Sequence, residues 1–176
     1  MNHGKNLPSQ IAERYQRLER ADHGDVAQEL RMFHTWASGQ PLLHSILEEA
    51  AREEPDLDFK TFISRFRSHR GFGWTNSTES GRATLIWKWI ELVLEEVEAS
   101  GRPDSLVLRW GSGVSFANDI NRQWRDLSAR VLLPLFEYFL DRISDASNTI
   151  YVLERYVRRV EWFERERLHA EAIVDT

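Results

Sequence analysis

Gly81-Arg82-Ala83-Thr84-Leu85-Ile86-Trp87-Lys88-Trp89-Ile90-Glu91-Leu92-Val93-Leu94-Glu95-Glu96-Val97-Glu98-Ala99 is the stretch on which the fold turns. Its apolar side chains do not alternate as in a half-buried strand. They surround most of a helical turn in the middle of the run, the pattern of a helix covered on nearly every side. Gly101, just beyond, is a natural stop. A helix so widely apolar needs several neighbours, and the rest of the chain supplies them.

Upstream, Ile11, Tyr15 and Leu18 recur at helical spacing after Pro8 and Ser9, and Val26, Leu30 and Phe33 do so between Asp25 and Gly39. Pro41 suits the first turn of a third helix bearing Leu42, Leu43, Ile46, Leu47 and Ala50, which Glu54-Pro55 closes. Phe59, Phe62, Ile63 and Phe66 mark a fourth over 58–69. Residues 102–114 lose the period and read as an irregular or short extended segment. From Ser115, expected as an N-cap, the stripe Phe116, Ile120, Trp124, Leu127, Val131, Leu135 and Phe139 predicts a long helix that Pro134 should bend. Asn148 is placed to cap a last helix over 149–172. The expectation is a single all-α bundle of about seven helices spanning residues 1–176.

Composition narrows the function classes. The chain has 176 residues and no cysteine, which excludes disulfides, thiolate nucleophiles and Cys-type metal sites. Neither a membrane-length apolar run nor the apolar stretch of a leader at the start is present in the sequence, so a cytoplasmic location is expected. A net charge of −5 argues against indiscriminate coating of nucleic acid. The charge is nevertheless uneven: Lys60, Arg65, Arg67, Arg70, Arg82 and Lys88 face only Glu79 within 60–89, between two acidic stretches.

Catalytic patterns are present in outline but lack their context. Gly113-Val114-Ser115-Phe116-Ala117 resembles a nucleophile elbow, with Asp145 and His169 following in the order of a hydrolase triad. Such an elbow needs a parallel sheet behind the serine, and the periodicity on both sides is helical. Asp56, Asp58 and Lys60 sit too close together, at a helix start, to hold a magnesium ion in the way separate strands do. The six histidines include no pair at ligand spacing. Gly71-Phe72-Gly73 and Gly111-Ser112-Gly113 lack the Lys-Ser/Thr or third glycine of a phosphate loop. No enzymatic activity, metal or cofactor is therefore expected of this chain.

Two surfaces remain. Arg65, Arg67, Arg70 and Trp74 interleave basic and aromatic groups, the composition of a nucleic-acid platform and equally of a helix C-terminus with its loop folded under the core. On the last helix, a projection of 100° per residue puts Val152, Leu153, Tyr156, Val157, Val160 and Phe163 on one face. Tyr151, Arg155, Arg158, Trp162 and Arg165 gather on the other, the make-up of a protein-interaction hot spot. A helix buried in its own bundle, with those arginines paired to Glu154 and Glu161, fits the same pattern.

The segment Leu153-Glu154-Arg155-Tyr156-Val157-Arg158-Arg159-Val160-Glu161-Trp162-Phe163, continued by Arg165 to Leu168, resembles a recurring bacterial motif of the form Leu-x-Arg-Tyr-x-x-Arg-x-Glu-Trp-Phe. A looser echo lies in residues 131–140. The motif belongs to helical N-terminal domains of restriction-endonuclease-like, PD-(D/E)XK nuclease-containing proteins associated with bacterial defence. The resemblance implies a non-catalytic interaction or regulatory domain, with nuclease residues in a part of the protein beyond Thr176. Its partners would be the adjacent nuclease domain, another protein or a second copy, with no membrane role. The alternatives are a nucleic-acid-binding module using Arg65 to Arg70 and Trp74, and a stand-alone regulatory or antitoxin-like protein.

Overall fold

A computed structural model describes residues 6–67, 74, 78–103 and 105–146. Among them the protein is all-α, without a strand. The elements are α1 (Leu7–Arg20), α2 (Val26–Ser38), α3 (Pro41–Glu53), α4 (Phe59–Arg67), α5 (Glu79–Ser100), α6 (Ser105–Gly111) and α7 (Ile120–Leu127). A π-helical turn (Ser128–Leu132) follows α7, and residues 133–146 are again helical. The chain divides after Leu140 into two compact units.

Caps set most of the helix ends. Asn6 accepts the N–H of Ser9 (3.1 Å) to start α1, and Thr78 accepts that of Gly81 (3.1 Å) to start α5. Each bond satisfies a backbone donor that the helix itself leaves open. The Thr78 hydroxyl donates in turn to Glu54 Oε1 (2.6 Å), which brings a carboxylate to the positive end of α5. Gly101 closes α5 with φ of 62°, a left-handed conformation that favours glycine. Asp25 adjoins α2, but its side chain forms no capping hydrogen bond.

The apolar run of 81–99 lies where its composition requires. α5 packs against α2, α3, α4 and α6, and Ala83, Ile86, Trp89, Ile90 and Val93 are all fully buried. One aromatic cluster forms on its α4 and α6 sides. Phe66 stacks on Trp89 at 5.5 Å and 11°, while Trp110 meets both rings edge-on, at 5.2 Å from Phe66 and 5.9 Å from Trp89. A second cluster joins Phe33 to Phe136 (4.6 Å), Phe136 to Tyr15 (5.1 Å) and the His34 imidazole to Trp87 (4.8 Å). Such offset and edge-on pairs add to the burial of large rings.

Three local expectations are revised. Residues 105–111, within the segment expected to be irregular or extended, form the two-turn helix α6, because Leu106, Val107 and Trp110 fall on one helical face and are buried there. The long helix begins at Ile120 and not at Ser115. Its N-cap is Asp119, which accepts the N–H groups of Asn121 (2.7 Å) and Arg122 (3.1 Å). Consequently Phe116 leaves the core stripe and is 85% exposed, while Trp124, Leu127, Val131, Leu135 and Phe139 are completely buried. The irregularity expected at Pro134 takes the form of the π turn just before it, where the Leu133 N–H donates to Ser128 O.

Candidate functional site

The residues singled out for function fall on two sides of what the structure describes. Tyr151, Arg155, Arg158, Trp162 and Arg165 lie outside the described residues, as do Arg70 and His169. Arg65, Arg67 and Trp74 lie within them, at and after the end of α4.

Trp74 is half-buried and engaged on several sides. Its ring stacks on Phe62 at 5.7 Å and 17°, and the Arg82 guanidinium lies over it at 5.7 Å. The indole N–H donates to the carbonyl of Arg130 in the π turn (3.2 Å). An uninterrupted α-helix would pair that carbonyl with the N–H of residue 134, which as proline has none. Trp74 thus serves a carbonyl that Pro134 cannot. Its stacking surface and donor are turned toward the protein, unlike those of an open base platform. Arg65 is exposed on α4.

The connection from α6 to α7 is fastened at successive residues. A Cβ built on Gly113 would overlap the carbonyl oxygen of Phe66, so only glycine allows the loop to pass this close to the end of α4. Val114 O accepts from Arg130 Nη1 (3.3 Å). The buried Ser115 hydroxyl donates to Asp126 and accepts from the Ala117 N–H (3.2 Å). Ala117 O accepts from Gln123 Nε2 (2.6 Å). Between these anchors the Phe116 ring projects into solvent.

Ser115 and Asp58, two of the residues weighed for catalysis, are engaged structurally. Ser115 acts as a loop fastener beside Asp126, a role different from the helix cap expected of it. Asp58 accepts both the hydroxyl (2.5 Å) and the N–H (2.9 Å) of Thr61, which makes it the cap of α4. Those two bonds, the hydroxyl first, hold its carboxyl below the ordinary range. Asp145 lies in the second unit, among helical residues. Among the described residues no three His, Asp or Glu side chains converge in a way that would hold a metal ion. No helix among them is long and apolar enough to cross a membrane.

An open cavity of about 440 Å³ lies between α1 and the start of α2. Glu13, Asp22, Asp25 and Glu29 line it together with Arg17 and Arg20, and the Arg17–Glu13 pair (3.4 Å) spans part of its wall. Opposite charges of this kind satisfy one another and select no ligand sign.

The exposure of Phe116 was missed from sequence because the ring sits in register with the buried stripe. The available signal was Asn118-Asp119, a turn-and-cap pair that places the helix start four residues later. Comparison with protein-family models, with curated proteins and with solved structures returns no match.

Proposed function

We propose that this chain is a non-catalytic helical interaction domain of a restriction-endonuclease-like, defence-associated protein. In this reading it docks an adjacent nuclease domain, or a second copy, through Tyr151, Arg155, Arg158, Trp162 and Arg165. The observation that carries the reading is the grouping of these aromatic and arginine side chains in and directly beside the Leu153–Phe163 motif. One structural fact supports it. In the first unit Ser115 and Asp58, the groups best suited to chemistry, are engaged in fastening the loop and capping α4. The nucleic-acid reading through Arg65, Arg67, Arg70 and Trp74 loses support, because the Trp74 indole donor is used internally.

The coding sequence following Thr176 tests the fusion. The reading expects a β-rich domain there, with an Asp followed about 10 to 20 residues later by Glu-x-Lys for a divalent metal. A stop codon in that position overturns the fusion and leaves self-association. Light scattering on wild type against Tyr151→Ala/Trp162→Ala then decides: a wild-type dimer that the double variant dissociates supports docking through this face, and two monomers refute it.

A further inference from the structure

We draw no further inference here: the strongest candidate, the exposed apolar surface that Phe116 presents on the loop between α6 and α7, carries nothing further, because nothing in the structure shows what covers it.

Discussion

The indole N–H of Trp74 donates to the carbonyl oxygen of Arg130 at 3.2 Å, four residues before the proline that cannot do so. The bond links Trp74, which follows α4, to the π turn, at a carbonyl that Pro134 cannot serve. Trp74→Phe should cost about 1 kcal/mol, the usual net value of one hydrogen bond. In a Pro134→Ala background the restored N–H competes for the same carbonyl, so the cost of Trp74→Phe should fall. A double-mutant cycle by urea denaturation checks this, and additivity within about 0.3 kcal/mol would refute the coupling.

Gly113→Ala should destabilise the first unit by about 2 kcal/mol or more, because the added Cβ meets the backbone carbonyl of Phe66 and not a side chain that can turn away. Gly39 offers the contrast. Its φ is −82° and its nearest Cβ contact is an ordinary 3.4 Å, so Gly39→Ala should be neutral within about 0.5 kcal/mol. Chemical denaturation of the two variants compares a blocked approach with an unobstructed position.

Trp124 Nε1 donates to Leu18 O at 2.6 Å in a fully buried site. Trp124→Phe should therefore cost about 1 to 3 kcal/mol, since the Leu18 carbonyl loses a buried partner. Hydrogen exchange offers a local check: amides in the last turn of α1 should lose protection in the variant, while those of α5 keep theirs.

Asp58 and Tyr15 govern opposite ends of the pH profile. The Asp58 carboxyl lies below its ordinary value of 3.8 through the Thr61 hydroxyl and N–H. Its contribution is thus present above the unfolded value and is lost as pH falls through the folded one. Asp58→Asn should flatten the acid limb of stability. Burial pushes the Tyr15 phenol above its ordinary 10.0, with the Ser128 hydroxyl partly offsetting this and the Glu19 and Glu137 charges reinforcing it. The unfolded chain then loses the proton first, so stability is intact below 10.0 and declines as pH rises through the folded value. Tyr15→Phe should reduce that alkaline decline in thermal melts.

The central helix was legible from sequence because the apolar side chains from Leu85 to Val97 leave only Lys88, Glu91, Glu95 and Glu96 polar, and burial on most other sides accommodates that pattern. The ends of α3 and α5 were legible through Pro41, Pro55 and Gly101, whose backbone preferences are local. What was misread depended on competition. Ser115 and Asp119 are both acceptable caps, and tertiary bonds from Asp126 and Gln123 decide in favour of Asp119 by holding the preceding loop along α7. The same bonds move Phe116 from the core to the surface. Trp74 was read from its arginine neighbours, whereas its actual partner lies 56 residues away. A contact at that distance has no local periodicity to announce it.

The hydrogen bonds from Trp124 to Leu18 and from the His23 N–H to Asn121 span 106 and 98 residues. Both attach the exit from α1 to α7, so the first pair of helices is completed by groups made much later on the ribosome. Until Trp124 emerges, the Leu18 carbonyl has no indole partner and the α1–α2 turn is unanchored. Folding of the first unit is thereby tied to a late step of synthesis, and closure at this sequence distance is slow compared with helix pairing between neighbours. Nascent chains stalled before this point should expose α1 to protease, whereas those released beyond it should protect it.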